Sequence, residues 1–273
     1  VQRADPTPDI HNRAKACNPP TSNDFAAPMT ILRSLVFLLL LVLVVIGYSL
    51  AIMASARWLS SNQLQAFSRS WSLLMLRLLR VICGLEYRIS GLENLPQTPC
   101  ILLSKHQSAW ETIALPGLIP RPQTWVLKRE LMGVPFFGWA LKAYQPIAID
   151  RAAGRKAMRQ LLQQGKAHLA AGNSILVFPE GTRVAVGERK PFTIGGALLA
   201  ERDNAPIVPI AHNAGVFWKR RGLRKRPGRI ELIIGPPIQP EGRSAHELNA
   251  LAEEWINATA ESLPRQPQAV NGT

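Results

Sequence analysis

The chain has 273 residues, room for one ordinary domain with an attached segment, or two small domains at most. Hydrophobic residues make up 47% and charged residues 18%, which excludes a disordered chain and fits a buried core plus a lipid-seeking stretch. Against 18 Asp and Glu stand 32 Lys and Arg, a formal charge of +14 that points to polyanionic partners: nucleic acid, anionic lipid head groups or phosphorylated small molecules. Cys17, Cys83 and Cys100 are odd in number and lack metal-ligand spacing, so neither a disulfide framework nor a zinc site is indicated.

Residues 1–28 are polar and punctuated by Pro6, Pro8, Pro19, Pro20 and Pro28, and they read as a disordered extension, with Met29 a candidate true start. From Ser34 to Ala56 run 23 uncharged residues. At ~1.5 Å per residue such a length crosses a ~30 Å hydrocarbon core, so residues 29–57 read as a transmembrane or membrane-embedded helix. The rival is a secretory signal peptide, because Arg33 precedes the run and Ala54-Ser55-Ala56 resembles a cleavage site; the run exceeds a usual signal core, which favours an anchor.

Residues 58–90 read as a basic amphipathic helical segment, with Leu73, Leu74, Leu76, Leu78, Leu79 and Ile82 among Arg69, Arg77 and Arg80. It either lies in the head-group layer with its arginines snorkelling to phosphates or packs on the domain. Arginines 57, 69, 77, 80 and 88 follow the apolar run, while few basic residues immediately precede it. The positive-inside tendency therefore puts the main domain in the cytoplasm.

Beyond Gly91, short apolar runs alternate with helical stretches. Residues 100–106, 124–129, 146–150, 174–180, 205–212 and 229–235 read as strands, and 154–172 and 246–263 as helices. The expectation is an α/β domain over 91–264, a mixed and largely buried sheet flanked by helices, with a disordered tail at 265–273.

Two segments can carry chemistry. In KHQSAWET, His106 ends a predicted strand and Glu111 falls in the first turn of the next helix. Residues i and i+5 differ by about 140° on one helix, so the pair meets only if His106 lies in the loop and Glu111 reaches back. There the carboxylate would fix the imidazole tautomer of a general base. The bland alternative is a capping box, Ser108 to Glu111, beside an ordinary loop histidine. The second segment is ILVFPEGTR, residues 175–183. Gly181 permits close backbone approach, Thr182 offers a hydroxyl and Arg183 a bidentate phosphate grip; a plain surface turn is the alternative.

Taken together, H-x4-E followed by F-P-E-G-T-R resembles the glycerolipid acyltransferase family, specifically bacterial 1-acylglycerol-3-phosphate acyltransferases. The likeness continues through KRELMGVPFFG at 128–138, Ile149-Asp150-Arg151, and Ile207 to Ile210. The family's usual aspartate is Glu111 here, and the glycine that often precedes the I-D-R element is absent.

The resemblance implies acyl transfer from acyl-CoA or acyl-carrier protein to the sn-2 hydroxyl of lysophosphatidic acid at the bacterial inner membrane, with membrane lipids as partners. His106 is then the base and Glu111 its partner, with no acyl-enzyme, no cofactor and no metal. The acceptor phosphate falls to Arg183, with Thr182, Gly181, Glu180, Lys128 and Arg151 as further candidates. Other acceptors (glycerol-3-phosphate, a lyso-ornithine lipid, another lysophospholipid) and a non-catalytic lipid-binding protein remain alternatives.

KRRGLRKRPGR at 219–229 carries seven basic residues and is either a phosphate-meeting or a solvated loop. No aromatic stacking platform accompanies it, which disfavours nucleic acid. Trp125, Phe136, Phe137 and Trp139 line an acyl tunnel or fill the core.

Overall fold

The computed structural model describes residues 22–265. The expected disorder of residues 1–21 and 266–273 lies outside them. Helix α1 (Ser22–Ser55) starts before the expected boundary at 29 and carries Pro28 in its interior, so residues 22–28 are helical rather than part of a disordered extension. Proline forfeits one backbone bond there, a loss that cooperative propagation of a long helix absorbs. The stretch Pro28–Ser55, with mean hydropathy 3.0, is long and apolar enough to cross a membrane.

Helix α2 (Ser61–Cys83) opens on a capping box between Ser60 and Gln63 and closes on Gly84 in the left-handed region. It runs antiparallel beside α1: the Cys83 thiol lies 3.8 Å from the Arg33 carbonyl, and Ser70 Oγ 3.3 Å from the Tyr48 hydroxyl. Met75, Leu76, Leu79 and Cys83 are buried, whereas Arg69, Arg77 and Arg80 point out. Of the two readings of this segment, packing on the domain is what its inner stripe does.

The amphipathic segment does not extend to residue 90. After Gly84 the chain enters strand β1 (Leu85–Ser90), paired in parallel with β7 (Gly228–Ile234). LEYRIS alternates apolar and polar side chains with a period of two, which suits an edge strand rather than a helix.

The six expected strands are present: β2 (Ile101–Ser104), β3 (Gln123–Lys128), β4 (Ile147–Ile149), β5 (Ser174–Val177), β6 (Ile207–His212) and β7. They form one sheet in the order β1-β7-β6-β2-β5-β3-β4, mixed because β6 and β7 pair antiparallel while every other neighbouring pair is parallel. Near-continuous apolar runs fit strands covered on both faces. Leu102 faces a core with Met75, Leu79, Trp110 and Leu115, contributed by α2 and α3 (Trp110–Leu118). Its neighbours Ile101 and Leu103 face the opposite core, built with Leu161, Leu199, Leu248 and Ile256. Those side chains come from α5 (Arg155–Ala170), α6 (Gly195–Asp203) and α8 (Ala245–Ser262), while the short α4 (Phe137–Leu141) and α7 (Ala214–Phe217) occupy connections. Trp125 packs partly buried on the first core, whereas Phe136 and Phe137 are half-buried and Trp139 is exposed, so these three do not fill the core.

Helices α2 and α3 touch through a small residue. Ser72 Oγ donates to the Ile113 carbonyl at 2.6 Å, and a Cβ added at Gly117 would stand 2.4 Å from that oxygen. Gly117→Ala should therefore destabilise the fold by about 1–3 kcal/mol, read as a lower midpoint of unfolding in detergent; an unchanged midpoint would show that α2 shifts off α3 without cost.

Candidate active site

Parallel strands β2 to β6 end at one edge of the sheet, and ligands of open α/β sheets bind beyond the carboxyl ends of strands. Leaving β2, the chain passes through Lys105, His106 and Gln107 before α3 begins. Glu111, in the first turn of α3, is fully buried and turns back over the helix start. Its Oε1 accepts from the backbone N–H groups of Gln107 at 2.8 Å and Ser108 at 2.7 Å, and lies 2.9 Å from His106 Nδ1. Only half of the expected capping box forms, because Ser108 Oγ accepts from the Trp110 N–H at 3.2 Å instead of from Glu111.

Burial opposes ionisation of Glu111, yet the imidazoles of His212 and His106, with the hydrogen bonds from His106 and Ser108, hold its carboxyl below its ordinary value. An ionised carboxylate only accepts, so His106 Nδ1 carries the proton and Nε2 keeps a lone pair. Nε2 makes no hydrogen bond among the described residues. The ring stacks on Phe178 with centroids 4.2 Å apart and planes 21° from parallel.

Phe178 begins the second motif, at the end of β5. Glu180, which the sequence grouped with the phosphate ligands, is fully buried and faces inward. Its carboxylate takes a short hydrogen bond from Lys105 Nζ and a 2.7 Å bond from the His106 N–H. A buried carboxylate so engaged repels a phosphate and cannot hold one; its work is to tie two loops together. Burial pushes the Glu180 carboxyl above its ordinary value, against the pull of Lys105 and the His106 N–H. Lys105 Nζ also donates to Asn257 Oδ1 of α8 at 3.0 Å, and the Val184 N–H donates to the His106 carbonyl at 2.7 Å.

The turn that follows is outward-facing. Gly181 has φ +69°, and a side chain there would meet open space, so glycine is present for backbone conformation. The Arg151 guanidinium donates to the Gly181 carbonyl. Arg183 is half-buried and forms no hydrogen bond or ion pair among the described residues. Gly181, Thr182, Arg183 and Arg151 thus come together. Lys128 does not join them: it is exposed and paired with Glu130 at 2.9 Å.

Behind Glu111 sits His212, at the end of β6 and fully buried. Its Nδ1 accepts from the Ala214 N–H at 3.3 Å and its Nε2 donates to the Lys105 carbonyl at 2.9 Å, which fixes the neutral tautomer. Nε2 is 3.9 Å from Glu111 Oε2, an atom that is buried without a hydrogen bond among the described residues. A separate polar cleft of about 760 Å³, lined by Gln65, Gln123, Tyr144 and His168, opens near the start of β3 at the other edge of the sheet, and among the described residues no carboxylate lines it.

Residues 86–213 match the protein-family model described as Acyltransferase. The chain is 48% identical over 202 residues to the 1-acyl-sn-glycerol-3-phosphate acyltransferase of Pseudomonas aeruginosa, covering 72% of this chain and 78% of that one. It is 28% identical to the 1-acyl-sn-glycerol-3-phosphate acyltransferase alpha of Mus musculus over 64% of this chain and 62% of the other. The chain belongs to the acyltransferase family. The crystal structure of the 1-acyl-sn-glycerophosphate (LPA) acyltransferase from Thermotoga maritima, at 21% identity, has the same fold, with a TM-score of 0.72 over 85% of this chain and 95% of that one.

In this O-acyltransferase the fold brings to the site Lys105 and His212, which sequence reasoning missed, and Arg220 from the basic 219–229 run. Lys105 adjoins the motif histidine but gives no sign of its burial. His212 closes an apolar run and reaches Glu111 only because β6 pairs with β2. Arg220, from the basic loop, lies 3.5 Å from Thr182 Oγ1.

His212 makes the fold acid-sensitive. Burial pushes its pKa below the ordinary 6.5, against the pull of Glu111. The unfolded chain therefore binds a proton that the folded ring refuses, and stability falls as the pH drops below about 6.5. Unfolding midpoints at pH 7.5, 6.5 and 5.5 should decline, and His212→Gln should flatten that slope whatever its effect at neutral pH.

Proposed function

We propose that this acyltransferase moves a fatty acyl group from the thioester of acyl-CoA or acyl-carrier protein to the sn-2 hydroxyl of 1-acylglycerol-3-phosphate, giving phosphatidic acid. The observation that carries the reading is His106, its Nδ1 committed to Glu111, beside a turn with Arg183; among the described residues, His106 Nε2 has no hydrogen bond and Arg183 no counter-ion. The relatives in Pseudomonas and mouse, named for transfer to 1-acyl-sn-glycerol-3-phosphate, support the same acceptor.

In this mechanism His106 Nε2 takes the proton of the acceptor hydroxyl as its oxygen attacks the thioester carbonyl. The C–S bond then breaks, and the imidazolium returns the proton to the leaving thiolate, so the products are ester and free thiol. Glu111 stabilises the imidazolium through Nδ1. A thioester is already activated, so orientation together with a general base suffices and no nucleophilic Ser or Cys is needed. The apolar outer side of α1, including Leu35, Leu39, Leu43 and Leu50, would sit in the lipid of a bacterial inner membrane, with the domain on the cytoplasmic side.

A purified-enzyme assay across acceptors with both donors tests the reading. His106→Ala should lower turnover on 1-acylglycerol-3-phosphate by ~100 to 10,000-fold without unfolding the protein, and near-normal turnover would sink the general base. Glu111→Gln keeps a cap but loses the charge: a fall in kcat comparable to that of Glu111→Ala is expected, whereas full activity would reduce Glu111 to a cap. Arg183→Ala should chiefly raise the acceptor KM.

A further inference from the structure

The loop at 219–229 exposes Lys219, Arg220 and Arg221, but it is fixed at its base. Its base is closed by the bridge between Trp218 and Lys225 and by the bond from Trp218 Nε1 to the Gly222 carbonyl at 3.1 Å. Lys225 is buried: its backbone N–H donates to Ser34 Oγ of α1 at 2.8 Å, and its Nζ donates to the Leu223 carbonyl at 3.0 Å. The ammonium lies 4.5 Å from the Trp218 ring centre and 5.3 Å from that of Phe37, an aromatic enclosure that stabilises a cation with no carboxylate partner among the described residues. The loop is therefore held at a fixed place on the anchor helix, and from there Arg220 Nη2 comes within 3.5 Å of Thr182 Oγ1.

Three arginines attend the 181–183 turn. Arg151 on the Gly181 carbonyl, Arg183 within the turn and Arg220 on Thr182 form no ion pair among the described residues. Like charges gathered without an acid repel one another, and a phosphomonoester carrying nearly two negative charges removes that repulsion. The Val184 bond to the His106 carbonyl holds this turn against the base, so a phosphate gripped here stays in register with the reacting hydroxyl.

We propose that Arg220 is a specificity-determining residue that binds the acceptor's phosphomonoester together with Arg151 and Arg183, and that Lys225 is the staple that keeps it in position. The inference rests on the reading of the acceptor as a lysophosphatidic acid.

The test is steady-state kinetics of the full chain with acyl-CoA and 1-acylglycerol-3-phosphate, and with monoacylglycerol, which lacks the phosphate. Arg220→Ala should raise the KM for 1-acylglycerol-3-phosphate about tenfold with kcat within about twofold, leaving the acyl-CoA KM and any turnover of monoacylglycerol unchanged. Arg221→Ala, an equally exposed change on the same loop, should leave all four unchanged. A rise in the acyl-CoA KM alone would assign the site to the donor's phosphates. Equal effects of the two variants would reduce the loop to a diffuse field; either result overturns the proposal. If wild-type protein does not acylate 1-acylglycerol-3-phosphate, the acceptor assignment fails and this inference with it. If it does and Arg220→Ala keeps the wild-type KM, the role of Arg220 alone fails.

Discussion

A buried lysine and a buried glutamate, Lys105 and Glu180, hold the two motif loops in one place. Removing either partner of such a pair leaves an uncompensated charge in the interior, at a cost of about 3–5 kcal/mol. Two other elements bind to the same short stretch, α8 through Asn257 and β6 through His212 on the Lys105 carbonyl, and the Glu180 loop adds a second tie through Val184 on the His106 carbonyl. The backbone that carries the imidazole is thus tied from several directions before any substrate arrives, which is the preorganisation that proton transfer at a fixed distance requires.

Charge is sorted by depth. The two carboxylates of the motifs lie inside, Glu111 against an imidazole and Glu180 against an ammonium, while Arg183 and the arginines that reach its turn, Arg151 and Arg220, have no acid beside them among the described residues. The net charge of +14 therefore understates the local asymmetry at the mouth of the site. An interior anion beside an imidazole and an exterior group of cations are compatible because one is buried and the other faces water.

Much of this was legible in the sequence, because apolar runs bounded by Pro, Gly and Asn mark strands covered on both faces. β1 escaped because it is half-buried, alternating, and directly follows a helix; Gly84, poised to end that helix, was the available signal. α6 was likewise unread, its nine residues opening on two glycines that pack against Leu161 and Leu103. The pairing of His106 with Glu111 was legible as a loop histidine met by a carboxylate reaching over a helix start. The inward turn of Glu180 was not, since its partner Lys105 is 75 residues away in the chain. Long-range pairing of strands decides such neighbours, and local pattern carries no trace of it.

Helix α1 is at once long and apolar enough to cross a membrane and part of the domain's structure. Phe37 is fully shielded from solvent, and the Ser34 hydroxyl is a hydrogen-bond partner of the 219–229 loop. Trimming the chain of α1 would thus do more than remove an apolar helix. Trp218 would lose its ring contact with Phe37, the lysine beside it part of its enclosure, and the arginine-bearing loop its bond to Ser34. Solubility and a correctly shaped mouth are opposed in this architecture, so detergent or nanodisc preparations of the intact chain are the form in which its selectivity can be measured.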